Sequence, residues 1–244
     1  MSHIITALDF AEPKQARQLV ARLDPKLTRL KIGNQLFTVA GPTLVEEFQR
    51  SGFELFLDLK YHDIPNTVAS ALAAAASLGV WMVNVHAGGG KSMLNAARNA
   101  VPAYSEAGGT RLIAVTVLTS LDQHELQGVG LDAEPASQVE RLTRLTLEAG
   151  LDGVVCSPLE LGLVRKIAPE KFLTVTPGVR PDNVKIRSQG GSGDDQRRTM
   201  TPAEAVQAGS DYLVIGRPIT QASDPLAALN RIHDELMLPT DAVT

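Results

Sequence analysis

The sequence predicts an α/β chain folded as a (β/α)8 TIM barrel, and three observations carry that expectation. Short β-branched or apolar runs alternate eight times with longer segments of helical period, as successive βα units on a parallel sheet require. The length, 244 residues, matches the roughly 250 that one closed barrel takes. Ionisable or hydroxyl residues stand at the ends of most of the eight runs, where the βα loops of such a barrel gather their chemistry. No linker or further internal repeat divides the chain, so residues 1–244 are expected to form a single barrel domain.

The first unit pairs a strand over His3–Asp9 with a helix over Pro13–Arg22, where Pro13 sits at a first-turn position whose missing N–H costs nothing. The second and third are Thr28–Gly33 with Gly41–Ser51 and Phe53–Lys60 with Asn66–Leu78. Their helical runs are followed by Gly52 and Gly79, residues suited to left-handed caps. The fourth pairs Trp81–His86 with Lys91–Ala103, and the fifth Arg111–Val117 with Ala136–Ala149, which stops at Gly150. The sixth joins Gly153–Cys156 to Pro158–Ile167. The seventh joins Phe172–Thr176 to Thr201–Ala208 with Gly209 after it, and the eighth joins Tyr212–Gly216 to a helix over Pro225–Leu236 that Pro225 opens. The polar, glycine-bearing stretch 181–200 has no periodicity and is expected to be a mobile loop.

Composition narrows the function. Basic residues number 23 against 27 acidic ones, a net charge of −4, which argues against a nucleic-acid binder. The N-terminus lacks a basic segment followed by a long apolar one, and no stretch is long and apolar enough to suggest a membrane span. Cys156 is the only cysteine, so an intramolecular disulfide is excluded and a cytoplasmic location expected. The histidines show no metal-binding spacing. Neither metal nor cofactor is indicated.

Among the strand ends, the third is the most informative. In FELFLDLK, alternation places Glu54, Phe56, Asp58 and Lys60 on one face and Phe53, Leu55, Leu57 and Leu59 on the other. Asp58 and Lys60 lie about 6.6 Å apart along the strand, a gap a lysine stem can close, and Lys31 on the neighbouring strand about 4.8 Å away reaches the same place. Charges alternating in sign within a pocket of low dielectric fix one another's protonation states. Such a group can deliver a proton without a cofactor. Asp63 follows after the chain has left the strand, and its side chain is free to point elsewhere, including toward another subunit. His86 reads as a structural histidine and Cys156 as a small buried hydrophobe.

The last two strands are followed by PGVR (177–180) and IGRPI (215–219), where barrels of this kind often bind phosphate. Gly178 and Gly216 would let the backbone approach an anion, and Arg217 could clamp it through two donors.

These residues resemble the orotidine 5'-phosphate decarboxylase family, which makes UMP in pyrimidine synthesis. The resemblance rests on ALDF (7–10), Lys31 in KIG, DLKYHDIPNT (58–67), VHAGGG, VTVLTS, TPGVR, DDQRR and VIGRPI, and it runs through nearly the whole chain. It implies cofactor-free decarboxylation of orotidine 5'-monophosphate by a homodimer of barrels. Lys60 would donate the proton, and Lys31, Asp58 and Lys60 would form an array completed by Asp63 of the partner subunit. Asp9 would bind the ribose. Thr119, Ile64, Thr67 and Pro177 would line the nucleotide pocket, and Arg180, Gln196, Gly216 and Arg217 would hold the 5'-phosphate, with Gln189 an alternative to Gln196.

Three other readings stay open. A Mg²⁺-dependent sugar-phosphate decarboxylase or synthase shares the D-x-K-x-x-D strand but would need a carboxylate where this chain has Lys31. A Schiff-base aldolase would need a neutral lysine, which the flanking aspartates disfavour. A non-catalytic nucleotide-binding barrel would keep the phosphate site and leave the charged array without a role.

Overall fold

Each strand is too short to stand alone and is followed by helical structure that carries the chain back to begin the next strand parallel to it. The computed structural model describes residues 2–102, 104–105, 108–181 and 200–237. Its strands are β1 (Ile4–Ala7), β2 (Arg29–Gly33), β3 (Leu55–Tyr61), β4 (Met82–His86), β5 (Arg111–Val115), β6 (Gly153–Val155), β7 (Leu173–Pro177) and β8 (Tyr212–Ile215). Each pairs in parallel with the next, and β8 pairs with β1 through Ile4 and Leu213, so the sheet closes as a (β/α)8 barrel.

The helices are α1 (Pro13–Val20), α2 (Asn34–Arg50), α3 (Pro65–Ser77), α4 (Gly90–Ala100), α5 (Gln123–Gly128), α6 (Pro135–Glu148), α7 (Leu161–Ile167), α8 (Pro202–Gln207), α9 (Arg217–Thr220) and α10 (Pro225–Met237). Gly52, Gly79, Gly150 and Gly209 all take the positive φ expected of helix caps. Three helical stretches depart from expectation. Helix α2 begins at Asn34 rather than Gly41, because the chain is helical on both sides of Gly41, whose φ of 61° and ψ of −162° kink it ahead of Pro42. Helix α5 is opened by a capping box in which Asp122 accepts from the Glu125 N–H at 3.0 Å. The single turn α9 follows β8 directly.

Alternation along the strands divides the core in two. One set of residues, including Leu30, Ile32, Leu55, Leu57, Val83 and Val85, packs outward against the helices. The other fills the barrel, with Ile5, Phe56, Met82, Ile113 and Val175 at mid-height. Below them, at the N-terminal ends of the strands, the Arg29 guanidinium lies 4.3 Å from the Trp81 ring and that of Arg111 3.8 Å from Tyr104. This layer closes the bottom. Strands β6 and β7 approach so closely that a Cβ at Gly153 would collide with the Leu173 carbonyl. A cavity opens at the C-terminal ends of the strands. No helix among the described residues is long and apolar enough to cross a membrane.

Candidate active site

Above the mid-height layer the inward-facing residues change from apolar to charged. Lys31 on β2 stands opposite Phe56 in the pairing register and Gly33 opposite Asp58, so the Lys31 stem climbs one level to reach the carboxylate. Its Nζ lies 3.3 Å from Asp58 Oδ2 and 3.1 Å from Asp9 Oδ1. Asp9 follows the end of β1 and is well exposed, whereas Lys31 and Asp58 are each only 8% exposed. The Lys60 ammonium donates to Asp58 Oδ1 at 2.7 Å. Asp9, Lys31, Asp58 and Lys60 thus form one line of alternating charge.

Burial alone would neutralise these groups. For Asp58 burial pushes the carboxyl up, but the ammonium groups of Lys31 and Lys60 override it and hold the carboxyl below its ordinary value. For Lys31 burial works against the charge, and the Asp58 and Asp9 carboxylates outweigh it, raising the ammonium above its ordinary value. Both groups are therefore charged at neutral pH.

Lys60 does not reach this position by plain alternation. Strand β3 pairs with β4 at Phe56–Met82 and Leu57–Val83, then not again until Tyr61–Val85, so it bulges over Asp58 to Lys60. Lys60 sits in the bulge at a φ of 51°, and it is the only non-glycine residue with positive φ among those described. A left-handed conformation costs a residue with a Cβ roughly 1–2 kcal/mol, so something must hold it there. Asn84 on β4 does so: its Oδ1 accepts from the Lys60 N–H at 2.8 Å while its Nδ2 donates to Asp58 Oδ1 at 2.7 Å. Sequence reasoning passed over Asn84. Its signal was an amide in the middle of the otherwise apolar MVNV.

A cavity of about 530 Å³ opens above this array, lined by Asp9, Lys31, Asp58, Lys60 and Thr119 among others. Its lining also includes Pro177, Arg180, Gly216 and Arg217, all of them expected at the site. Gly178 turns with a φ of 81°, which glycine alone adopts freely, and Val179 then bridges to Met200. The Arg180 N–H donates to the Met200 carbonyl at 2.9 Å, which ties together the two residues flanking 181–199. Gln196 and Gln189, and nearly all of the loop expected over 181–200, lie outside the described residues.

Other expected residues fall elsewhere. Asp63, Ile64 and Thr67 are exposed and do not line this cavity; Asp63 accepts from the Ile64 N–H at 2.6 Å, and Ile64 is 67% exposed. Thr116, which follows β5 and is not among the expected site residues, is fully buried and donates to the Val155 carbonyl, so it acts in the barrel wall. His86 stacks on His62 with centroids 5.4 Å apart and accepts from the Gly88 N–H, and burial, then His62 and Lys60, make it less basic than usual. Cys156 is buried, and burial pushes its thiol up, which suits an unreactive packing residue. Among the described residues no group of three or more His, Cys, Asp or Glu side chains is placed to hold a metal.

The family model described as "Orotidine 5'-phosphate decarboxylase / HUMPS family" matches residues 2–232. The chain belongs to this family. A protein from Nitrosospira multiformis named orotidine 5'-phosphate decarboxylase is 56% identical over 233 residues, covering 96% of this chain and 93% of its own length. A protein of the same name from Shewanella sediminis is 53% identical over 236 residues and covers 97% of each chain. Among solved structures, the orotidine 5'-phosphate decarboxylase of Lactobacillus acidophilus superposes with a TM-score of 0.82 at 36% identity, over 96% of this chain and 99% of that one. The motifs from ALDF to VIGRPI therefore lie within a family match that spans the whole barrel.

Proposed function

We propose that this enzyme decarboxylates orotidine 5'-monophosphate to UMP and CO2 in pyrimidine biosynthesis, with Lys60 as the proton donor to C6. The observation that carries the reading is the line Lys31–Asp58–Lys60 on the floor of the cavity, with contacts of 3.3 and 2.7 Å. It is supported by membership of the family and by relatives that bear the decarboxylase name.

Loss of CO2 from C6 leaves an electron pair in the plane of the pyrimidine ring, where no carbonyl can delocalise it. The developing carbanion has to be stabilised by charge. The Lys60 ammonium supplies that charge as it forms and then delivers its proton, an interaction stronger in the transition state than in the ground state. Asp58 keeps Lys60 charged and aimed. It also faces the departing carboxylate, a like-charge repulsion of about 4 kcal/mol at 4 Å with an effective dielectric of 20, relieved as CO2 leaves. Lys31 holds the other oxygen of Asp58 and, with Asp9, stands where the ribose hydroxyls would lie. Thr119 and Pro177 line the base pocket. Arg180, Gly216, Arg217 and Gln196 receive the 5'-phosphate, whose binding energy, made far from C6, is available to drive closure around the substrate.

The site works as a single barrel completed by a second copy of the chain. Asp63, Ile64 and Thr67 lie at the start of the exposed α3 segment, away from their own cavity, which suits delivery of Asp63 to the partner's site. Mixing Lys60→Ala and Asp63→Ala proteins would then restore activity. Half of the dimers would pair unlike chains and each would hold one intact site, so about a quarter of wild-type activity should return if subunits exchange freely. Failure of mixing to restore any activity, with exchange verified, would place Asp63 in its own site. A cytoplasmic location suits an enzyme of nucleotide synthesis with one buried thiol.

A Mg²⁺-dependent sugar-phosphate reaction fits less well, since the place between the Asp9 and Asp58 carboxylates is taken by the Lys31 ammonium. Incubation of the purified protein with orotidine 5'-monophosphate and chromatographic identification of the product tests the reading. UMP is expected; unchanged substrate from folded protein would reject it.

A further inference from the structure

Asn84 is wholly buried in β4 and does not line the cavity, so it acts through the residues it touches. Its amide orientation is chemically forced. The Lys60 N–H can only donate and must meet Oδ1, at 2.8 Å; the ionised Asp58 carboxylate can only accept and must meet Nδ2, at 2.7 Å. One planar group therefore fixes both halves of the Asp58–Lys60 pair.

The need arises from the bulge. While β3 runs from Leu57 to Tyr61, β4 advances only from Val83 to Val85, so the regular ladder offers no partner register for Lys60. The Asn84 carbonyl takes the place of a strand carbonyl for its N–H. On the other side, Asp58 Oδ1 accepts from both Lys60 Nζ and Asn84 Nδ2, while Oδ2 faces Lys31. The carboxylate can then rotate only by breaking several contacts together. We infer that Asn84 is a positioning residue for the decarboxylation, holding Lys60 in its left-handed backbone conformation and Asp58 in the plane that aims the Lys60 ammonium at C6.

Asparagine is the short side chain that offers a donor and an acceptor at this reach. Aspartate keeps the acceptor but sets a second carboxylate against Asp58, and alanine or leucine lose both contacts, leucine with little change in volume. The inference rests on the reading of Lys60 as proton donor to orotidine 5'-monophosphate.

The test measures kcat and KM for that substrate and the affinity for UMP in wild type, Asn84→Ala and Asn84→Leu. Misplacing a catalytic group by about 1 Å lowers turnover about 100-fold, and that loss in kcat is expected in both variants. KM and the UMP dissociation constant should stay within about 3-fold of wild type, because the phosphate and ribose contacts are made elsewhere. Turnover within about 5-fold of wild type in either variant would overturn the inference. So would a parallel collapse of kcat and UMP binding in both, which marks a purely structural residue. If wild type itself forms no UMP, the proposed activity fails first, and this inference falls with it.

Discussion

Replacing Lys60 with alanine is expected to lower kcat by about 10⁴-fold or more, since under the proposed mechanism it removes both the general acid and the charge that stabilises the C6 carbanion. That corresponds to about 5 kcal/mol of transition-state stabilisation. UMP should still bind, because on the proposed reading its phosphate and ribose are held by Arg180, Arg217 and Asp9, which line the same cavity and are left in place. The loss has a second source. Asp58 is held ionised by Lys31 and Lys60 together, and without Lys60 its carboxylate faces the substrate carboxylate with only Lys31 and Asn84 to balance it. Steady-state kinetics with titration of UMP separates the outcomes: turnover within about 10-fold of wild type would remove Lys60 from the proton-donor role.

Arg217→Ala is expected to act on binding. Arg217 opens α9 just after β8 and lines the cavity, and its guanidinium suits two parallel hydrogen bonds to a phosphate. Its removal should weaken UMP about 100-fold, or about 2.7 kcal/mol, while leaving unphosphorylated uridine within about 3-fold of its wild-type affinity. Calorimetric titration of both ligands distinguishes a phosphate contact from general damage. Equal losses for UMP and uridine would contradict the phosphate assignment.

The parts of the molecule legible in the sequence are those set by local periodicity. All eight strands stand where alternating apolar runs place them, and the charged pair Asp58 and Lys60 is legible because it sits two apart on a strand whose other face is phenylalanine and leucine. What was hidden depends on partners distant in the chain. The bulge that turns Lys60 exists only in relation to β4, so alternation puts its side chain on the correct side for an incomplete reason. Asn84 is a lone amide in an apolar run until Asp58 and Lys60 meet it across the strand pair. The first half of α2 was obscured by Gly41 and Pro42, which read as a helix start although the chain is already helical before the kink. Helix α5 carried a readable signal, Asp122 three residues before Glu125, that its short length concealed. The exposed segment from Asp63 to Thr67 has chemical meaning only through its resemblance to the family, since nothing in its own cavity calls for it.

The claim at the centre is that protein charges alone, Lys60 with Asp58 and Lys31, carry the decarboxylation. Its most direct test follows the ultraviolet absorbance of orotidine 5'-monophosphate with purified protein, with and without excess EDTA, and identifies the product in each case. Equal rates of conversion to UMP are expected. Activity abolished by the chelator and restored by added Mg²⁺ would contradict that claim and return the site to metal-dependent chemistry.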